Sequence, residues 1–114
     1  MSFKKVTAIV RLDVLERVEE RLREVGVQGM SIHQCKGYGE YADFYARDWM
    51  STNARIEIFI GEDHAEEVAS AIMDAAHIGM EGDGIVAIQP VEKLYQIRTL
   101  KEAVPHELKK KQPE

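Results

Sequence analysis

Two stretches of this chain carry the same signature, and the repeat limits the fold more than any other feature. In the first, "VTAIVRL" (residues 6–12) is apolar and β-branched, which predicts a strand. Leu15, Val18, Leu22 and Val25 then recur at helical spacing, while Glu16, Arg17, Glu19, Glu20, Arg21 and Arg23 fill the other face. Asp13 followed by Glu16 predicts a capping box with Asp in place of the usual Ser or Thr, and Gly26 is placed to end the helix. "GMSIHQCK" reads as a second strand. In the second half, "ARIEIFIG" alternates as a strand, and Asp63 with Glu66 again marks a helix start. Val68, Ala69, Ile72 and Ala76 form the apolar stripe, Gly79 follows its end, and "GIVAIQPV" supplies the next strand.

A doubled strand–helix–strand unit predicts an α+β fold of ferredoxin-like topology: a four-stranded antiparallel sheet with two helices on one face. A chain of 114 residues has no spare layer for the opposite face, so self-association is the economical way to cover it. The expected organisation is one domain over residues 1–100 with a polar tail at 101–114. "EKLYQIRT" is expected to form a short extra strand, and "AVPHELKKKQPE" at most a turn of helix that frays.

The net charge of -5 argues against a nucleic-acid partner, which demands a basic surface. The single cysteine, Cys35, allows no internal disulfide and fits a reducing, cytoplasmic setting. The apolar run before Arg11 is too short to be a signal peptide or to insert in a membrane.

Between the two halves, residues 36–50 read "KGYGEYADFYARDWM". Five of the eight aromatics (Tyr38, Tyr41, Phe44, Tyr45 and Trp49) stand here among charges, in a connection, residues 37–53, of a length that is uncommon without a role. Rings of this kind give contact area at low entropic cost, so Tyr41, Phe44, Tyr45, Arg47 and Trp49 are the candidates for binding a target. Alternatively, Tyr45 and Trp49 pack back onto the body. "KGYG" and "GDG" (residues 82–84) are glycine turns of the kind that can hold an anion with backbone amides, or can simply be turns. Arg55 and Arg98 could face an anion or stand solvated. His33 and Cys35 share a strand face and could begin a soft-metal site, although they lack two ligands for one. Three function classes stay open on these residues: a ligand-responsive regulator, a small phosphate-ester enzyme built on the G-D-G turn, and a metal-responsive oligomer.

Taken in order, "AIVR", "GVQGMSI", "KGYG", "RIEIFI", "AAHIGMEGDGIV" and "IRT" resemble the P-II signal-transduction family over residues 4–99. The resemblance implies a homotrimeric, non-catalytic regulator that binds an adenine nucleotide (ATP, ADP or AMP) between subunits. Its long loop, residues 40–53 here, would engage a membrane transporter or a metabolic enzyme. It further implies that Gly37, Tyr38 and Gly39 meet the nucleotide, that Ser31 holds the adenine beside Gly29 and Met30, and that Gly82, Asp83 and Gly84 form the phosphate-side turn. Arg55 stands where the family has a lysine near the loop base, and Arg98 where it has a phosphate-binding arginine. Two departures matter: Ile85 and Gln96 replace cations of the family pattern. Each lost charge-assisted contact removes roughly 1.5–3 kcal/mol, so ADP or AMP is expected to be favoured over ATP. The loop is also short, and "EYA" replaces the arginine-glutamine-lysine that serves 2-oxoglutarate, so a response to that metabolite is not expected; a small anion such as bicarbonate is a candidate companion of the nucleotide. Tyr41 and Tyr45 are the loop tyrosines available for modification.

Overall fold

The computed structural model describes residues 2–37, 51–105 and 107–108. It contains β1 (Phe3–Arg11), α1 (Leu15–Val25), β2 (Ser31–Gly37), β3 (Ser51–Gly61), α2 (Ala65–Ala76) and β4 (Gly84–Val91), followed by a small hairpin of β5 (Tyr95–Gln96) and β6 (Lys101–Glu102). The sheet order is β2-β3-β1-β4 with every neighbouring pair antiparallel. This is the ferredoxin-like double βαβ that the repeat predicts.

Alternation along the central strands makes the layers. Val6, Ala8 and Val10 of β1 and Ala54, Ile56, Ile58 and Ile60 of β3 turn inward, where Val18, Leu22 and Val25 of α1 and Val68, Ala69, Ile72 and Ala76 of α2 cover them. At roughly 25 cal/mol per Å² of apolar surface removed from water, these side chains supply most of the drive to fold. The intervening residues, among them Lys5, Thr7 and Ile9 of β1 and Arg55, Glu57 and Phe59 of β3, lie on the face without helices, and Phe59 is 47% exposed. On that face Glu57 binds two cations, with Arg55 Nε at 3.2 Å and Lys5 Nζ at 3.9 Å. Pro90 sits on an outer strand, where its missing N–H breaks no interior ladder.

Several details differ from the sequence expectations. Neither capping box forms: both helices begin through a short 3-10 turn without a side-chain cap. Asp13 is instead gripped by Arg11, whose Nε and Nη2 donate to its two oxygens at 3.1 and 3.0 Å, and Glu62 accepts from Ser2 Oγ. Gly26 does end α1, with φ 95 and its N–H turned back to Arg23 O and Leu22 O. β3 starts at Ser51 rather than after residue 53, because Ser51, Thr52 and Asn53 continue the ladder opposite Gly37, Lys36 and Cys35. The last three residues of the expected 37–53 loop are therefore strand. The tail does not fray over its described part: Lys101–Glu102 pairs with β5, Pro105 sits against Gly61, and Leu108 packs on the core.

Candidate functional site

Of "KGYG" the described residues, Lys36 and Gly37, are the last of strand β2 rather than a turn, and they lie toward the same end of the sheet as the G-D-G turn. Gly37 closes β2 opposite Ser51, while Gly84 opens β4 opposite Val10, one residue from the end of β1. They stand on opposite outer edges, however. With β3 and β1 between them, they are three strand spacings apart, roughly 14 Å.

The G-D-G turn is built tightly. Gly82 and Gly84 have φ of 90 and 116, and a Cβ on Gly84 would fall 1.9 Å from Ile9 O. Glycine is therefore demanded here by the closeness of β1, whatever ligand the turn may serve. Asp83 Oδ2 accepts from the amides of Ile78 at 3.0 Å and Gly79 at 2.8 Å, so this carboxylate shapes the whole 78–83 turn. Burial pushes its pKa up, but the Ile78, Gly79 and Met80 amides and the nearby His77 outweigh that and hold it below the ordinary carboxylate range. A depressed folded pKa means stability that is present above the unfolded value of 3.8 and lost as pH falls through the folded one. An Asp83→Asn protein is thus expected to be less stable at neutral pH and to show a flatter loss of stability below about pH 4, measured by urea denaturation at a series of pH values. Beside the turn lies a hollow of about 90 Å³ lined by Met73, Ala76, His77 and Ile85.

The remaining candidates are spread over the sheet. Ser31 opens β2 opposite Glu57, with Met30 half-buried against the core and Gly29 exposed before it. Arg55 lies on the open face opposite His33, paired with Glu57 rather than held clear for an anion. Arg98 lies in the β5–β6 turn, at the other end of the molecule from Gly84, next to Ile97 and Leu100, which are 89% and 88% exposed. Tyr38, Gly39, Tyr41, Phe44, Tyr45, Arg47 and Trp49 lie outside the described residues. His33 and Cys35 occupy alternate positions of β2, and among the described residues no third His, Cys, Asp or Glu joins them as a ligand set.

A larger groove, of about 400 Å³, was missed in the sequence. Its inner wall is Phe3, the 26–29 turn and Ile58–Gly61, and its outer wall is Leu94–Gln96 with Ala103, Val104, Glu107 and Leu108. Gly29 is the one candidate site residue that lines it. Leu108, an apolar residue in a mostly polar tail and packed against the core, was the signal that the tail has something to cover.

Residues 3–101 match the family model described as Nitrogen regulatory protein P-II. The chain belongs to this family. Its relatives include Nitrogen regulatory protein P-II of Rhizobium meliloti (strain 1021), 34% identical over 104 residues, which cover 84% of this chain and 92% of that one. Nitrogen regulatory protein GlnK2 of Haloferax mediterranei is 37% identical over 106 residues (86% and 85%), and Nitrogen regulatory protein GlnK of Escherichia coli (strain K12) is 32% identical over 103 residues (84% and 92%). Among solved structures, Arabidopsis thaliana PII bound to citrate superposes with a TM-score of 0.76 at 29% identity, covering 90% of this chain and 89% of that one. P-II membership makes this chain a nitrogen-regulatory signalling protein in class. No helix among the described residues is long and apolar enough to cross a membrane.

Proposed function

We propose that this P-II protein works as a cytoplasmic homotrimer that binds an adenine nucleotide between subunits and switches a transporter or metabolic enzyme through residues 40–53, without catalysing a reaction. The observation that carries this reading is the placement of the glycine segments relative to the β5–β6 hairpin. Gly37 and the G-D-G turn lie toward one end of the sheet, while Gln96 of the hairpin lies beside Phe3 and Gly61 at the other, so a cleft that draws on both sets of residues is formed between neighbouring subunits. The exposed apolar residues fit the same arrangement. Met73, Ile78, Met80 and Ile85 surround the G-D-G turn, while Ile97 and Leu100 flank Arg98 at the far end. A head-to-tail ring covers both patches at once and carries Arg98 of one subunit towards the phosphate-side turn of another. The helix-free sheet face, with Phe3, Ile9 and Phe59, is covered in the same assembly.

Within the cleft, Gly29, Met30, Ser31, Gly37, Tyr38 and Gly39 serve the nucleoside end, and Gly82, Asp83, Gly84 and Arg98 the phosphate end. Arg55 holds Glu57 in place below the base of the loop. Ile85 and Gln96 supply no charge to a triphosphate, which favours ADP or AMP. The Arabidopsis relative was crystallised with citrate, which gives some support to a small carboxylate or bicarbonate as second effector here. For the nucleotide to act as a signal, it must bind one arrangement of the target-contacting segment better than another.

Calorimetric titration of the purified oligomer with ATP, ADP, AMP and cyclic AMP, with and without bicarbonate or 2-oxoglutarate, tests the reading. The expected result is ADP or AMP binding at least about tenfold tighter than ATP, consistent with one lost charge-assisted contact or more. ATP binding strengthened by 2-oxoglutarate would overturn the assigned preference. No binding by any of the four would remove the nucleotide from the mechanism.

A further inference from the structure

Leu100 has φ 60, and among the described residues it is the only one other than glycine in the left-handed region. A leucine is strained there because its Cβ crowds the following carbonyl oxygen, and glycine or asparagine normally takes such a position. The turn nonetheless holds it. Residues 97–100 join β5 to β6, and Leu100 N–H donates to Gln96 O at 2.9 Å and to Ile97 O at 3.3 Å. Thr99 Oγ1 accepts from Lys101 N–H at 3.3 Å on the far side of the turn. Strain of this kind persists only where the surrounding bonds over-determine the backbone.

Within its own chain the Leu100 side chain gains nothing for this strain. It and Ile97 are almost fully exposed, so neither buries apolar surface against its own fold. A glycine would close the same turn without strain. A leucine held outward on a fixed turn is a preformed hydrophobic knob, which loses little freedom when something covers it. The surface that fits it lies at the other end of the molecule, where Met73, Ile78, Met80 and Ile85 expose apolar area around the G-D-G turn. The charges agree as well. Arg98 is the only charge in residues 97–100, whereas Glu81 and Asp83 are the only charges in residues 78–85. Because the two patches lie at opposite ends of one chain, contact between copies is head-to-tail and closes as a ring.

We infer that Leu100, with Ile97 beside it, is the anchor that seats the β5–β6 turn of one subunit on the Met73, Met80 and Ile85 patch of a second copy of this chain. Leu100 is thereby a positioning residue for Arg98, which stands two residues away in the same turn. This rests on the head-to-tail ring proposed above, and it names the side chain that holds the ring at this contact. Glycine at position 100 separates the two properties of the leucine. It eases the backbone and removes the knob, so the turn forms more readily while the assembly weakens.

The test is sedimentation velocity over a dilution series, without nucleotide, on the parent, Leu100→Gly, Leu100→Asn, Met80→Ser and the Leu100→Gly/Met80→Ser double variant. Affinities for ADP and adenosine are measured on the same proteins. Asparagine tolerates the left-handed region, so both Leu100 variants ease the backbone. Each single variant is expected to dissociate at a concentration higher by about fivefold or more. The double variant is expected within about twofold of the worse single, because the two side chains share one contact. ADP should weaken by about threefold or more in Leu100→Gly, with adenosine changing less, since Arg98 serves the phosphate and not the base. Leu100→Gly and Leu100→Asn proteins that assemble like the parent overturn the anchor while the nucleotide reading stands. Additive effects of Leu100→Gly and Met80→Ser overturn the patch assigned to it. A parent that is monomeric throughout overturns the anchor and the ring together. The expected dissociation without binding of ADP or adenosine keeps the anchor and removes the nucleotide.

Discussion

A Gly84→Ala protein is expected to lose at least about 3 kcal/mol of stability, because two independent costs fall on one methyl group. The first is conformational: φ of 116 lies where a side chain is strained wherever it points. The second is steric. The new Cβ would sit 1.9 Å from Ile9 O, 3.0 Å from Ile9 C and 3.3 Å from Val10 Cα. All three are backbone atoms of a central strand and cannot swing aside as a side-chain end can, so relief requires β4 to part from β1 where its ladder begins. The melting temperature should fall by roughly 10 °C or more. Two other glycines set the scale. Gly29→Ala meets nothing within 4 Å, and Gly61→Ala meets only the side chain of Pro105. Urea denaturation of the three variants should rank Gly84 far above Gly61, and Gly61 above Gly29. A Gly84→Ala protein as stable as Gly29→Ala would mean that β4 does not approach β1 as described. The same argument makes Gly84 a poor probe of ligand binding, for which Arg98→Ala is cleaner because Arg98 stands in an exposed turn.

What could be read in the sequence follows the range of the interactions involved. Val18, Leu22 and Val25, and Val68, Ile72 and Ala76, were legible because helical spacing is a local property and all of them are buried. β4 was legible to the residue, since the largely β-branched stretch Ile85–Ile88 stands between Gly84 and the Pro90–Val91 end. The helix starts were misread for a reason that is also physical. Asp13 and Asp63 each fall inside a 3-10 turn that follows the strand, one residue before the helix N-caps Val14 and His64, and Arg11 takes the Asp13 carboxylate. Strand order came with the doubled unit: the ferredoxin-like topology puts β2 and β4 at the edges, which already separates Gly37 from "GDG". The groove was not legible. Its walls come from residues 3, 26–29, 58–61, 94–96, 103–104 and 107–108, and the bonds between them, such as Gln28 to Glu107, span most of the chain.

Restoring the two missing cations should convert the ligand preference. Ile85 is the second residue of β4, 43% exposed beside the G-D-G turn, and Gln96 is exposed in β5, so neither substitution Ile85→Lys nor Gln96→Arg disturbs the core. Surface changes of this kind normally shift stability by less than about 0.5 kcal/mol, and a lysine stem can lie along the apolar rim of Met73 and Met80 while its ammonium reaches out. If each cation regains about 1.5–3 kcal/mol with a phosphate oxygen, the double variant binds ATP tighter by a factor on the order of 100 or more. Adenosine, which has no phosphate to meet them, serves as the internal control, so the decisive quantity is the ratio of ATP to adenosine affinity. Gln96 also lines the groove, which makes Ile85→Lys the cleaner single change, with an expected gain of about tenfold or more in that ratio. The gain must shrink as salt is raised, because screening acts on the new charge and not on the base. A ratio that moves by less than about twofold in the double variant would place the phosphates out of reach of Ile85 and Gln96, and the ADP or AMP preference would then need another cause.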